Sequence, residues 1–94
     1  MYNSCWITGA SSGIGKHTAL YFAKKGFTVF ASARSSKDLE KLVNESVTLS
    51  QKGSIIPVPL DVTIPDEISK CIEFIKNNVE SLDFVILNAG TYLK

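Results

Sequence analysis

The sequence predicts an α/β fold in which a doubly wound parallel sheet carries helices on both faces. Three observations lead to this prediction. Short apolar segments alternate with segments of helical periodicity along the 94 residues, and that alternation is typical of parallel strands joined by helical crossovers. A glycine-rich turn separates the first strand from the first helix, and two prolines place the third strand at a sheet edge. We therefore expect four strands in the order 3-2-1-4 and three helices, which is part of a larger sheet of this kind.

The first strand is predicted at residues 3–8, and the helix that follows it at residues 13–25. One face of this helix carries small and apolar side chains, which suits close packing on a sheet. These residues are Thr18, Ala19, Phe22 and Ala23. Gly26 comes directly after the helix and is expected to cap its carboxyl end, because glycine adopts the left-handed conformation of such caps without strain.

The second strand is predicted at residues 28–33, where the chain is compact and apolar. Ser36 is expected to be the N-cap of the second helix, since a serine hydroxyl can accept a hydrogen bond from an unpaired amide of the first turn. The apolar positions of this helix are Leu39, Leu42 and Val43. Its pattern fades after Val47, and Gly53 ends the region.

The third strand, predicted at residues 55–60, contains Pro57 and Pro59. Residues two apart direct their backbone nitrogens to the same side of a strand. Because proline has no N–H group, that side cannot pair with a neighbour, and the strand is predicted at an edge of the sheet.

The third helix is predicted to begin after Thr63, where the next residues suit a first turn: Pro65, Asp66 and Glu67. Its buried face is expected to consist of apolar residues at helical spacing, namely Ile68, Ile72, Ile75 and Val79. The last strand is predicted at residues 82–87, which are apolar apart from Asp83. That composition is typical of a parallel strand covered on both faces.

Composition excludes several classes of protein. The net charge is +1 at pH 7, so no basic excess indicates a nucleic-acid partner. No apolar run reaches the roughly 20 residues of a membrane span, and we expect no secretory signal, because the N-terminus lacks a basic stretch followed by an apolar core. Cys5 and Cys71 lie far apart in the sequence and are expected to be buried and reduced, as is typical of a cytoplasmic protein. No spacing of residues predicts a metal site, and His17 is the only histidine.

The turn between the first strand and the first helix is the strongest candidate for a binding site. Its glycines let the backbone approach a ligand closely, because no Cβ stands in the way. The unpaired amides at the start of the helix lie at its positive end, which favours a phosphate group. The residues expected at this site are Gly9, Ser11, Ser12, Gly13, Ile14 and Gly15. The sequence therefore predicts a nucleotide site.

Three further groups of polar or small residues follow the other strands. They are Arg34 after the second strand, Asp61 and Val62 after the third, and Asn88, Ala89 and Gly90 after the fourth. The carboxyl ends of parallel strands meet at the edge where open sheets bind ligands. A carboxylate after the second strand would bind the ribose hydroxyls of NAD, whereas an arginine there accepts the 2′-phosphate of NADP. We therefore expect NADP(H) as the cofactor, with NAD as the alternative.

With these motifs in this order, the chain resembles the short-chain dehydrogenase/reductase family over essentially all 94 residues. The segment from Thr8 to Gly15 matches the family's cofactor signature, Thr-Gly-x-x-x-Gly-x-Gly. The aspartate–valine pair after the third strand looks like the one that family members place against the adenine ring. The turn after the fourth strand resembles the family's Asn-Asn-Ala-Gly motif, with Leu87 in place of the first asparagine. In the family this turn lines the ribose and nicotinamide end of the cofactor.

The resemblance implies a Rossmann-type domain and an oxidoreductase that transfers hydride between NADP(H) and a carbonyl or alcohol substrate. In the family, the catalytic serine, tyrosine and lysine lie well downstream of the Asn-Ala-Gly turn, and this sequence ends four residues after Gly90. We therefore expect residues 1–94 to be the N-terminal part of one such domain, truncated before the catalytic segment, without catalytic residues and inactive by itself. A homo-oligomer would need the missing segment, and neither nucleic acid nor a membrane is an expected partner.

Two other interpretations compete with this one. A short dinucleotide-binding or regulatory module without catalysis would carry the same motifs. A P-loop hydrolase is disfavoured, because Ala10 replaces the first glycine of its motif and His17 replaces the hydroxyl residue that would hold magnesium. A literal Tyr-x-x-x-Lys spacing joins Tyr21 to Lys25, but it lies in the first helix, at the end remote from the glycine turn, and we do not interpret it as catalytic.

Overall fold

The computed structural model of the protein describes residues 3–11, 13–48, 53–61, 63–79 and 82–87. Strands and helices alternate along these residues as predicted. The elements are β1 (Ser4–Thr8), α1 (Gly13–Lys24), β2 (Thr28–Ser32), α2 (Ser36–Thr48), β3 (Ser54–Pro57), α3 (Pro65–Asn78) and β4 (Phe84–Ile86). The strands form one parallel sheet in the order β3-β2-β1-β4, which confirms the predicted order.

Each face of the sheet has its own apolar core, because successive side chains of a strand point to opposite faces. Cys5 and Ile7 of β1 belong to the core on the side of α1 and α2, together with Leu39 and Leu42. Trp6, between them in sequence, lies on the α3 side. The core there consists of Trp6, Phe30, Val58, Leu60, Cys71 and Ile75. The Trp6 indole N–H donates a hydrogen bond to Ser32 Oγ at 2.9 Å, so its one polar group is satisfied inside the sheet.

Gly26 caps α1 as predicted. Its φ is +101°, the left-handed region that favours glycine. The Gly26 N–H donates to the Ala23 carbonyl at 3.0 Å, and the Phe27 N–H donates to the Phe22 carbonyl at 3.0 Å. The rings of Phe22 and Phe27 lie 4.8 Å apart. These two bonds and the apolar contact form a complete Schellman motif, which ends the helix and directs the chain into β2.

The cap of α2 differs from the prediction by one residue. Ser36 is the first helical residue, and Ser35 is the N-cap. The Ser35 hydroxyl oxygen accepts the Asp38 N–H at 3.1 Å, and the Ser35 carbonyl accepts the first bond of the helix, from Leu39, at 3.1 Å. Two adjacent serines both suit an N-cap, and the one that opens the first turn takes this role.

The edge position of β3 is confirmed, although the strand is shorter than the predicted 55–60. Beyond its end, the Val58 N–H donates to the Ala31 carbonyl at 2.8 Å, and the Leu60 N–H donates to the Ala33 carbonyl at 2.9 Å. These amides face β2, so the alternating residues Pro57 and Pro59 direct their nitrogens away from the sheet. The prolines therefore lack their N–H groups on the outer side of the edge strand, where no neighbouring strand of the described sheet would accept a hydrogen bond.

The buried face of α3 matches the predicted one only in part: Ile75 is buried as expected, and Val79 packs against the core from a half-buried position. The helix contacts the sheet through Cys71 and Ile75, which are buried under Trp6 and Phe30. The predicted members Ile68 and Ile72 remain 37% and 43% exposed, and Val79 is half-buried. The apolar stripe of α3 is broader than the contact it makes, because the described part of the chain covers only one side of the stripe.

The predicted double coverage of the last strand is also wrong for the part of the chain that the structure describes. β4 is confined to Phe84–Ile86 and pairs with β1 at the second edge of the sheet. Phe84 and Val85 are 51% and 52% exposed. Asp83, the polar exception in this segment, accepts the Ser4 N–H through its carboxylate at 2.9 Å, and its own N–H donates to the Ser4 carbonyl at 3.0 Å. Asp83 therefore fixes the start of β4 against β1.

Candidate functional site

The glycine turn connects the end of β1 to the start of α1, as the sequence predicts. Gly9 and Gly13 have φ values of +62° and +58°, which only glycine adopts readily. The Ala10 N–H donates to the Ser32 carbonyl at 3.0 Å, so the turn is tied to the end of β2. Ala10 itself is buried. The turn is therefore a fixed part of the sheet edge, and its conformation requires its glycines.

The turn and the start of α1 fit a phosphate group. A Cβ built on Gly13 meets no heavy atom within 4 Å, so the space beside its α-carbon is open to a ligand. The first turn of α1 contains no acidic residue, and no carboxylate there competes with an anion for the unpaired amides. Ile14 is 79% exposed, Ser11 is half-buried and Gly15 is buried.

Lys16, which would be the lysine of a P-loop, is directed elsewhere. Its Nζ lies 3.0 Å from Glu45 Oε1 on α2, and both side chains are partly exposed. The ion pair joins α1 to α2 on the outside of the sheet. This geometry supports the sequence argument against a P-loop site.

Arg34 and Asp61 lie at one open cleft beside the carboxyl ends of β2 and β3. The cleft has a volume of about 540 Å³. Its polar and aromatic lining comes from Arg34, Asp61, Glu67, Lys70 and Phe74. The sequence thus placed Arg34 and Asp61 correctly at neighbouring strand ends. A cleft with cationic and anionic walls over an apolar floor can receive a phosphorylated ribose and a flat heterocycle.

The Asp61 carboxylate is fixed within its own loop. Its Oδ1 accepts the Thr63 N–H at 2.9 Å and the Thr63 hydroxyl at 2.6 Å. These hydrogen bonds, followed by the positive charge of Arg34, lower the pKa of Asp61 below its usual 3.8, although partial burial opposes them. The side chain is therefore an anion and an acceptor at neutral pH.

Glu67 is a member of the site that the sequence did not reveal. Its Oε1 accepts the backbone N–H of Asp61 at 2.8 Å, in a partly buried position. The sequence suggested only an acid near the positive end of α3. A second cue was available, because glutamate at the third helical position often reaches back to an amide before the helix.

Five of the predicted site residues lie outside the described part of the chain. They are Ser12, Val62, Asn88, Ala89 and Gly90. The strand before the last three ends in register with β1, since Ile86 pairs with Ile7. Their roles remain predictions.

The Tyr21–Lys25 spacing forms a local contact. Lys25 Nζ lies 5.5 Å from the centroid of the Tyr21 ring, and Tyr21 is 55% exposed. Tyr21 lies in the last turn of α1 and Lys25 directly follows the helix, so the pair is at the end opposite the glycine turn, as expected. His17 is exposed.

Within the described ranges, none of the helices is long and apolar enough to cross a bilayer. The same residues contain no group of three or more histidine, cysteine or acidic side chains arranged to hold a metal ion.

Comparison with known proteins extends these observations. The sequence matches the family described as short chain dehydrogenase over residues 3–94. The 3-oxoacyl-(acyl-carrier-protein) reductase FabG of Thermotoga maritima is 42% identical over 86 residues, which are 92% of this chain and 34% of the reductase.

Solved structures show the same architecture. Hydroxysteroid dehydrogenase from Escherichia coli has a TM-score of 0.84 and 30% identity over 93% of this chain and 36% of its own. L-sorbose reductase from Gluconobacter frateurii, solved with NADPH and L-sorbose, has a TM-score of 0.83 and 27% identity over 94% of this chain and 33% of its own. The chain spans about a third of the length of these proteins. The strand order and the TM-scores confirm the predicted Rossmann-type fold.

Proposed function

Because this chain belongs to the short-chain dehydrogenase/reductase family, as its motifs predicted, we propose that it binds NADP(H) along the carboxyl edge of its sheet. In this proposal residues 1–94 form the cofactor-binding part of a single Rossmann-type domain of an oxidoreductase. The substrate of the whole protein is a small molecule with a carbonyl or alcohol group.

One observation carries the proposal. The glycine turn is bonded to the end of β2 through Ala10 and Ser32, and Arg34 follows that strand end and lines a cleft with Asp61. A phosphate-binding turn and a cation suited to a 2′-phosphate therefore lie on adjoining strands of one edge. The related L-sorbose reductase, solved with NADPH, supports the same choice of cofactor.

The residues divide along the length of the dinucleotide. The backbone of the glycine turn holds the pyrophosphate, Arg34 binds the 2′-phosphate through charge-assisted hydrogen bonds, and Asp61 accepts a hydrogen bond from the adenine. The proposed site consists of Gly9, Ser11, Ser12, Gly13, Ile14, Gly15, Arg34, Asp61, Val62, Asn88, Ala89 and Gly90. The last three are assigned to the ribose and nicotinamide end.

When bound, the nicotinamide supplies hydride to a carbonyl carbon or accepts it from an alcohol carbon. The residues of this chain bind and orient the cofactor, and none of them is assigned to proton transfer. We expect the 94-residue chain to bind NADPH without turning over a carbonyl substrate.

The test is calorimetric titration of the chain with NADPH and with NADH. Replacing Arg34 by alanine is expected to weaken NADPH binding by about 10- to 100-fold, because charge-assisted bonds to the phosphate are lost, and to affect NADH far less. Lys37→Ala removes an exposed cation from the first turn of α2 and is the matched control. Equal affinity of the unaltered chain for both cofactors would contradict the choice of NADP(H), and no binding of either would refute the function.

A further inference from the structure

We propose that Glu67 is a positioning residue for the adenosine arm of the cofactor. It fixes the Asp61 turn in the conformation that receives the adenine ring. The inference rests on the proposed function, since it assigns a role within the same cofactor site. Glu67 lies in α3, outside the cofactor motifs of the family.

The backbone N–H, the backbone carbonyl and the carboxylate of Asp61 each take part in a hydrogen bond. The Asp61 N–H donates to Glu67 Oε1 at 2.8 Å. Its carbonyl accepts the Ile64 N–H at 3.0 Å, and its carboxylate accepts two bonds from Thr63. Two of these partners belong to the loop itself. Glu67 alone among them belongs to a regular element, so it joins the loop to the rigid body of α3.

The start of α3 makes this contact more important than an ordinary surface bond. Ile64 is the N-cap, and its side chain provides no capping hydrogen bond. A polar N-cap would fix the chain as it enters the helix. Here the only side-chain bond between the described first turn of α3 and the preceding loop comes from Glu67, one turn inside the helix. Without it, the Asp61 amide in this partly buried position would lose its acceptor.

The cleft shows why this matters for binding. Glu67, Asp61 and Arg34 all line it. With one carboxylate oxygen on the Asp61 amide, Glu67 holds the loop that carries the Asp61 carboxylate at the cleft that Arg34 also lines. Movement of the loop would displace the adenine acceptor from the phosphate-binding cation. We expect loss of the Glu67 contact to weaken binding of the adenosine half by about 10-fold, which is in the range of the cost of leaving a partly buried amide without an acceptor.

The experiment separates the reach of the side chain from its charge. Glu67→Gln keeps an acceptor at the same reach and removes the charge. Glu67→Asp keeps the charge in the first turn of the helix and shortens the side chain by one methylene. Glu67→Ala removes both. Asp66→Ala is the matched control, because Asp66 is an exposed acid of the same turn.

Binding is measured by calorimetry with adenosine 2′,5′-bisphosphate, which carries the adenine and both phosphates of the adenosine half and no nicotinamide. The alanine and aspartate variants are expected to bind about 10-fold more weakly than the parent. The glutamine variant and Asp66→Ala are expected to stay within about 3-fold. Hydrogen exchange of the Asp61 amide, measured by NMR, gives a second readout: we expect protection to fall in the alanine and aspartate variants and to persist in the glutamine variant.

Each outcome has a distinct meaning. Equal binding by all four variants, with a parent that binds well, would overturn the role of Glu67 and leave the proposed function standing. A loss in Glu67→Gln with none in Glu67→Asp would assign the effect to charge and would also overturn it. No binding of the bisphosphate by the parent chain would refute the proposed function itself. If Glu67→Ala fails to fold by circular dichroism, the opposed glutamine and aspartate variants still decide the question.

Discussion

At the scale of single residues, the Cys5 thiol shows how the sheet controls an ionisable group. Cys5 is fully buried in the core between the sheet and helices α1 and α2. Burial raises its pKa from the usual 9.0 to about 11, and the Asp83 carboxylate adds to the shift. A thiol with this pKa carries almost no thiolate at neutral pH, and the thiolate is the reactive form. Cys5 therefore serves the core as a small apolar side chain.

We predict that this thiol makes the folded state less stable in alkali. The unfolded chain loses the Cys5 proton near pH 9, whereas the folded protein keeps it to about pH 11. The stability that the protonated Cys5 thiol contributes to the folded state is complete below pH 9, and it is lost as the pH rises from 9 to about 11. Urea unfolding at pH 8 and at pH 10 measures the effect. The comparison is with Cys5→Val, which lacks the thiol and should therefore lose less stability over the interval. An equal loss in both proteins would contradict the prediction.

A polar residue of the site could be predicted from the sequence where its position after a strand places it at the carboxyl edge of the sheet. Arg34 and Asp61 follow strands, so the parallel order brings them to one edge, and the structure places both at one cleft. Glu67 was not predictable in the same way, since sequence gives its charge and not the amide its side chain reaches. The choice of Ser35 over Ser36 as N-cap likewise depends on where the first turn opens.

At the scale of elements, Gly53 joins three pieces of the fold. Its N–H donates to the Ala23 carbonyl at the end of α1, at 2.9 Å. A Cβ on Gly53 would lie 2.0 Å from the Phe27 carbonyl oxygen, which is backbone and cannot move aside as a side-chain end can. The sequence predicted Gly53 only as the end of a helical region. The structure shows that close backbone approach requires glycine here.

We predict that Gly53→Ala destabilises the protein by about 1–3 kcal/mol, because the inserted methyl group forces the start of β3 away from the end of α1. Thermal and urea unfolding followed by circular dichroism measure the change. Ser54→Ala is the matched control, since Ser54 is the next residue in sequence and is exposed at the start of β3, and it should change stability by less than about 0.5 kcal/mol. A Gly53→Ala protein as stable as this control would show that the chain relaxes around the methyl group at no cost.

The order of the elements and of the strands was predictable, because apolar periodicity identifies each helix and strand from its own residues and the two prolines identify the edge strand. The burial of the apolar faces of α3 and β4 was not predictable in this way. Ile68 and Ile72 continue the helical stripe, and the segment around β4 is apolar. Both patterns predict burial, but burial needs a partner that these elements do not specify. In the described residues the stripe is wider than the contact, and the strand is an exposed edge.

At the scale of the whole molecule, the described residues form an apolar groove on the α3 side of the sheet. It has a volume of about 300 Å³ and runs between α3 and β4. Apart from Lys76, its lining consists of Trp6, Ile72, Ile75, Val79, Leu82 and Val85. The groove adjoins the edge of β4, where Val85 is 52% exposed. An apolar strand edge beside an apolar groove is a surface on which chains self-associate.

We therefore predict that the 94-residue chain associates with itself as its concentration rises. Val85→Lys introduces a charge at the edge, where strand pairing and groove contact would both bury it, and it should reduce association. Val47→Lys is the matched control, because Val47 is 71% exposed on α2, away from this edge, and its replacement should leave association unchanged. Sedimentation velocity over roughly a tenfold range of concentration measures the mass distribution, and circular dichroism verifies that each variant is folded. A parent chain that stays monomeric with a sharp cooperative melt would show that this edge is already protected, and an equal effect of the two lysines would assign association to net charge rather than to β4.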